Sequence, residues 1–319
     1  MYKPSYVWPN PAFPFRTYFE SKGLRIFIIE NIQHNWLWLK DYHGYFKPTD
    51  YFFVYCGWYH SEHFAKEADV IFNELGLRKD NFYFMYNQPS EGENFSAKGF
   101  KGELLNQNCW LDENLVMKPL DLPKQYDAIY VGRFSAFKRH YLAEKVSNLA
   151  LVAGNNHGNK VADGIPDHIY LNEAPLKPNQ VCEKINQARC GLILSELEGA
   201  CFASSEYLLC GIPVVSTVEK GGRSAWYDDY NSITCEANSD SVAEAVQFFV
   251  ENPRDPNIIR ERHIAKANYF RAKFVLKFAE LLDKHGIIGV DPFLYFKEHY
   301  IHKLRNSQKP DFNKIFVEQ

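Results

Sequence analysis

The chain has 319 residues, 46% of them hydrophobic and 24% charged, enough for two ordinary globular domains with cores of their own. Its net charge of −3 does not suggest a nucleic-acid partner, and none is expected, although local basic patches can still hold a phosphate. No apolar run approaches the length that spans a bilayer, which leaves only peripheral contact with a membrane surface open. Seven cysteines lie scattered without a Cys-x-x-Cys pair, the pattern of free thiols rather than of a zinc site or a disulfide framework. The opening Met1-Tyr2-Lys3-Pro4 lacks the apolar core of a signal peptide, and a cytoplasmic location is expected, with the inner membrane face as an alternative.

The first 60 residues carry 19 aromatics, read as core of a small domain before sugar-stacking or lipid contact. Leu24–Glu30 and Tyr51–Tyr55 read as buried strands, Glu62–Leu75 as a helix ended by Gly76, and Asn81–Tyr86 as a further strand. Gln88–Asn108 is rich in Gly, Asn and Ser and reads as mostly loop. Pro119–Lys124 reads as a linker.

The pattern then becomes regular. Strands are expected at Ala128–Val131, Leu149–Ala153, His168–Leu171, Gly191–Leu194 and Pro213–Ser216. Helices are expected at Lys138–Asn148, Asn179–Arg189, Phe202–Cys210 and, capped by Asp240, Ser241–Val250. Such alternation implies a parallel sheet covered on both faces, with ligands beyond the carboxyl ends of its strands. A long charged helix, Asn257–His285, follows. Asp291-Pro292 then starts a helix carrying Phe293, Phe296, Tyr300 and Leu304 at helical spacing.

The strongest motif runs from Ser195 to Ser216. Glu198 stands in the turn after a strand, and Glu206 about a turn inside the next helix. Gly199, Ala200, Cys201 and Phe202 between them let backbone N–H groups approach an anion at the helix start. A carboxylate at Glu206 can accept hydrogen bonds from two ribose hydroxyls. Earlier, Gly132-Arg133 ends a strand, and Lys138 follows five residues after Arg133, two cations suited to a leaving diphosphate. Gly221-Gly222-Arg223 and Gly154-Asn155-Asn156 follow other strand ends. No two aspartates are two apart, so an Asp-x-Asp metal motif is missing, and neither a metal nor another cofactor is required by the argument.

Ser195, Glu198-Gly199, Glu206 and Gly211-Ile212-Pro213-Val214-Val215 together resemble the signature of the family-four retaining glycosyltransferases of GT-B fold. The resemblance covers about residues 126 to 250. It implies an α/β architecture of two Rossmann-like domains facing a cleft, the N-terminal one abbreviated and lacking the usual Gly-rich loop. The expected divisions are 1–122 on the acceptor side, 123–288 binding the nucleotide sugar, and 289–319 returning to the first domain. It places Glu198 by the donor sugar, Glu206 on the ribose, and Arg133 and Lys138 on the diphosphate, with Gly221 and Gly222 lining the same crevice. Members often set an N-domain histidine near the sugar, for which His34 is the first candidate and His60 the second. The implied activity is metal-independent, retaining transfer from a nucleotide-diphosphate sugar to a hydroxyl of a glycan or lipid-linked acceptor, in bacterial-type glycan or lipopolysaccharide synthesis. A GT-B epimerase and a non-catalytic nucleotide-sugar-binding module stay as alternatives, the latter because the N-terminal half is short.

Overall fold

The computed structural model describes residues 2–5, 15–21, 23–55, 62–154, 164–304 and 310–318. The chain forms two compact units, Met1–Trp110 with Tyr269–Gln319, and Leu111–Asn268. The Pro119–Lys124 segment therefore lies inside the second unit.

The first unit contains β1 (Phe15–Ser21), β2 (Leu24–Glu30), α1 (Trp36–Tyr42), β3 (Asp50–Tyr55), α2 (Glu62–Glu74), β4 (Phe82–Tyr86), α3 (Pro89–Ser96) and β5 (Lys101–Leu104). Its five strands lie in chain order. β1 pairs antiparallel with β2, and the remaining pairs are parallel. β2 and β3 are buried almost throughout, as strands covered on both faces must be. The aromatic residues fill this core. Phe27 stacks on Phe52 at 5.2 Å, Phe52 on Phe82 at 4.6 Å, and Phe312 and Phe316 close over Phe15 and Trp38. One buried ion pair ties the strands' starts together: Arg25 donates to both oxygens of Asp50, at 2.7 and 2.6 Å, and to the Ile315 carbonyl at 2.6 Å.

Two stretches of this unit depart from the sequence reading. β1 was not expected, and the Gly/Asn/Ser-rich segment 88–108 holds α3, β5 and a 3-10 turn at Gln107–Trp110 rather than loop. Composition misleads there because α3 is fixed by three local features. Pro89 stands at its start, Glu91 accepts from the Asn87 N–H at 2.8 Å, and Phe95 is buried.

The second unit contains β6 (Tyr126–Val131), β7 (Leu149–Val152), β8 (Tyr170–Leu171), α4 (Pro178–Asn186), β9 (Ala188–Ile193), α5 (Phe202–Leu209), β10 (Val214–Thr217), β11 (Ser232–Cys235) and α6 (Ser239–Glu251). The strand order is β11-β10-β9-β6-β7-β8, and every pair is parallel. The chain starts at β6, builds outward to β8, then returns to the other side of β6. The loops leaving β6 and β9 therefore diverge from neighbouring strands, which defines the topological switch point of the sheet.

Corrections here are local. The expected helix 138–148 is replaced by 3-10 turns at Ala136–Lys138 and His140–Ala143, because Arg139 adopts a left-handed φ of 51° that no helix accommodates. The cap of α6 is Asn238, whose side chain accepts from the Ser241 N–H at 2.8 Å, and not Asp240. β11 was not expected, and Arg189 lies in β9 rather than at a helix end.

α7 (Pro256–Lys284) begins in the second unit and ends in the first, and α8 (Pro292–Glu298) follows. Asp291 caps α8 as expected, accepting from Phe293 and Leu294 N–H. Tyr300 lies beyond its end, so the apolar spacing runs longer than the helix. Tyr295 of α8 donates to the Tyr18 carbonyl of β1 at 2.7 Å. Among the described residues, no helix is long and apolar enough to cross a membrane.

At the switch point the β6–β9 ladder is bridged by a phenol. Tyr207 of α5 is fully buried; its hydroxyl accepts from Val131 N–H at 2.7 Å and donates towards Leu192 O at 3.5 Å. Its ring needs the space over Gly191, where a Cβ would stand 2.2 Å from Tyr207 Cδ2. We expect Gly191→Ala to destabilise the fold by about 1–3 kcal/mol or more through this overpacking, measured by urea unfolding. An unchanged unfolding midpoint would show that Tyr207 does not occupy this position.

Candidate functional site

Two loops meet at the switch point, Gly132–Arg139 after β6 and Leu194–Cys201 after β9. Lys138 Nζ lies 2.5 Å from Glu198 Oε1, with the two side chains 8% and 11% exposed. Ser195 donates to the other oxygen of Glu198 at 2.6 Å. Tyr130 secures the first loop by donating to the Lys138 carbonyl at 2.6 Å. Arg133 is exposed, and its guanidinium lies 5.1 Å from the Phe137 ring centre, with Lys138 Nζ 5.4 Å from the same ring. The structure thus brings Lys138 and Glu198 together, with Arg133 beside the Phe137 ring that Lys138 also approaches. Lys138 is committed to Glu198, and an ammonium so paired has further protons to donate.

The second loop is zipped to the segment after β10. Glu198 N–H donates to Lys220 O at 3.2 Å and Lys220 N–H to Glu196 O at 2.7 Å. Gly221 then passes against Glu198 so closely that a Cβ would stand 2.1 Å from the Glu198 carbonyl oxygen. Glycine at 221 has this packing reason, independent of any ligand. Beside it Arg223, wholly buried, donates to Ser195 O at 2.8 Å, Thr217 O at 3.0 Å and Ser216 Oγ at 3.0 Å. Arg223 therefore holds Ser195, and Ser195 holds Glu198.

The chain turns into α5 through Gly199, Ala200 and Cys201. Cys201 is the N-cap, with a left-handed φ of 56°, rare outside glycine and a sign of local strain. Its thiol hydrogen-bonds to Glu198, and burial, with the Glu198 charge, pushes that thiol up to about 12. Phe202 opens the helix, and Glu206 lies one turn inside it. His34 ends the 3-10 turn Ile32–His34 after β2 in the first unit; its side chain, like the whole of His60 and of Asn155 and Asn156, lies outside the described residues.

Sequence reasoning missed Arg139, Tyr130 and Tyr207, and read Arg223 only as part of a glycine turn. Arg139 donates to Leu194 O at 2.6 Å and to Thr217 Oγ1 at 2.7 Å, fastening the first loop to the ends of β9 and β10. A lone arginine or tyrosine in a strand-rich segment carries no signal of such a role. Among the described residues, no group of three or more His, Cys, Asp or Glu side chains is placed to hold a metal ion.

No protein-family model matches the chain, and no curated protein does. Solved structures do. The chain is similar to sucrose-phosphate synthase from Thermosynechococcus elongatus, with TM-score 0.53 and 12% identity over 81% of this chain and 72% of that one. It is similar to TarM, with TM-score 0.58 and 13% identity over 78% of this chain and 54% of that one. It is also similar to Anabaena HepE solved with UDP, with TM-score 0.50 and 12% identity over 74% and 72%. The matched region thus spans about half the length of TarM. At these identities the likeness is one of fold: the chain has the GT-B fold, with two Rossmann-like domains.

The charge balance at Glu198 is testable. Burial raises its carboxyl, while the Lys138 charge and hydrogen bonds from Lys138, Ser195 and Cys201 lower it by more, so it titrates below the ordinary carboxylate range. We expect Lys138→Met, which strands the carboxylate, to cost about 3–5 kcal/mol, and Lys138→Met with Glu198→Gln to recover most of that. Urea titrations of the three proteins at neutral pH check it; a single variant as stable as the parent would contradict the buried pair.

The pH dependence follows with a definite sign. A carboxyl depressed in the folded state contributes stability that is complete above its unfolded value, near 4.3, and is lost as pH falls through the lower folded value. Between about pH 5 and about pH 3 the parent should therefore lose more stability than Glu198→Gln. Parallel curves for the two proteins would refute the assignment.

Proposed function

We propose that this chain is a retaining glycosyltransferase, similar to family four, that moves a sugar from a nucleotide-diphosphate donor to a hydroxyl of a glycan or lipid-linked acceptor. The observation that carries the reading is the Lys138–Glu198 pair at the switch point of an all-parallel sheet, directly before a helix whose second turn bears Glu206. Ligands of open α/β sheets bind at this position. The UDP in the HepE structure fits the same donor class.

In this reading the α5 N-terminal amides with Arg133 and Lys138 stabilise the departing diphosphate. Glu206 accepts from the ribose hydroxyls. Glu198 stands by the sugar, its charge balanced by Lys138. The C1–O bond to phosphate breaks, the acceptor oxygen bonds C1 on the same face, and the acceptor proton passes to the leaving phosphate oxygen. His34 is the proposed N-domain histidine near the sugar. Because Arg133 and Lys138 supply the positive charge, no metal is required. The proposed setting is bacterial-type glycan or lipopolysaccharide synthesis in the cytoplasm, with the inner face of the membrane as the alternative.

Calorimetric titration of the full chain with nucleoside diphosphates tests the donor site, and turnover assays with the corresponding sugars test the reaction. Glu206→Ala should raise the donor KM with kcat less affected, and Glu198→Gln should lower kcat and kcat/KM together while nucleoside diphosphate still binds. Turnover should survive excess EDTA. Donor binding without transfer or slow hydrolysis would replace this reading with a binding module, and conversion of the sugar with the nucleotide still attached would replace it with an epimerase.

A further inference from the structure

Away from the loops just described, the second unit sets three sulfur atoms side by side, two of them from buried cysteines. The Sγ atoms of Cys182, on α4, and of Cys210, directly after α5, lie 3.8 Å apart, and Met117 Sδ lies 3.9 Å from Cys210 Sγ. Both thiols are free, 2% and 1% exposed. A disulfide bond is about 2.05 Å long, so the two sulfurs must close by about 1.8 Å, within reach of side-chain rotation and a small shift of the end of α5.

The surroundings make the two thiols unequal. The hydrogen bond from Cys210, outweighing burial and helped by Lys118 and Asn186, draws Cys182 down to about 6. Burial, then Cys182 itself, pushes Cys210 well up. The two directions favour Cys182 as the attacking sulfur and Cys210 as the resolving one.

We propose that Cys182 and Cys210 are a redox-modification site that closes to a reversible disulfide when a small electrophilic oxidant reaches the paired sulfurs. With an azodicarboxamide such as diamide, the Cys182 thiolate adds to one azo nitrogen. Cys210 sulfur then attacks Cys182 sulfur and displaces the hydrazine. One S–S bond forms, two electrons pass to the azo group, and its two nitrogens end with the two thiol protons. A low-molecular-weight disulfide would serve by exchange, leaving as two thiols. The bond would join α4 to the end of α5, whose last turn Cys210 already holds by donating its N–H to Glu206 O at 3.0 Å.

The test treats the folded full chain with diamide and reads intact mass and tryptic peptides. We expect a loss of about 2 Da, a cross-linked peptide joining Cys182 to Cys210, and full reversal by dithiothreitol. Cys182→Ser and Cys210→Ser, each checked for folding by circular dichroism, should both abolish that peptide. No mass loss under conditions that oxidise the urea-unfolded chain would overturn the proposal, as would a cross-link between other cysteines. Because the readout is covalent and needs no nucleotide, it stands or falls independently of the proposed transferase activity.

Discussion

Two loops leave neighbouring parallel strands and meet in a buried ammonium–carboxylate contact. Each partner would be costly to bury alone; removing one from such a pair costs several kcal/mol because the other is left uncompensated. Lys138 and Glu198 therefore require one another before either can serve a ligand. Much of the surrounding structure keeps this pair in register. Ser195 occupies the second carboxylate oxygen, Arg223 holds Ser195, and Arg139 fastens the first loop to the ends of β9 and β10.

The two phenols act on the same gap, one from the sheet and one from the helix beside it. Tyr130 reaches the Lys138 carbonyl from β6, and Tyr207 reaches the β6 and β9 backbones from α5. Where strands diverge, backbone donors and acceptors lose their ladder partners, and a buried group left unpaired carries a full desolvation penalty. A buried tyrosine hydroxyl can donate and accept at once, and so supplies both ends of the missing connection. The loop conformations are thus anchored in side-chain chemistry rather than in their own composition.

The alternation of strands and helices after residue 126 was legible because burial on both faces forces short apolar runs between amphipathic helices. So was the position of Glu198 and Glu206 around a helix start. The segment after Lys138 was not legible, since its end as a helix depends on Arg139 adopting a left-handed backbone to reach Leu194 and Thr217. That choice is made by contacts distant in sequence. Glycine 221 illustrates a second limit. A glycine near a strand end reads as room for a ligand, yet here the space is taken by the carbonyl of Glu198. The short helix Pro89–Ser96 was hidden by its Gly, Ser and Asn content, which propensity alone counts against a helix.

The first unit is sewn from both sides of the second, and this imposes an order on biosynthesis. Arg25 meets the carbonyl of Ile315 only after 290 further residues have been made, and Phe15 and Trp38 likewise await Phe312 and Phe316. The intervening unit, continuous from Leu111 to Asn268, contains every strand of its sheet and can collapse as soon as it emerges. A nascent chain would therefore carry a finished second unit while the aromatic sheet ahead of it still lacks its covering rings. For that period the first-made of the two units is the last to be sealed, and it is the one more dependent on protection from its neighbours in a crowded cell.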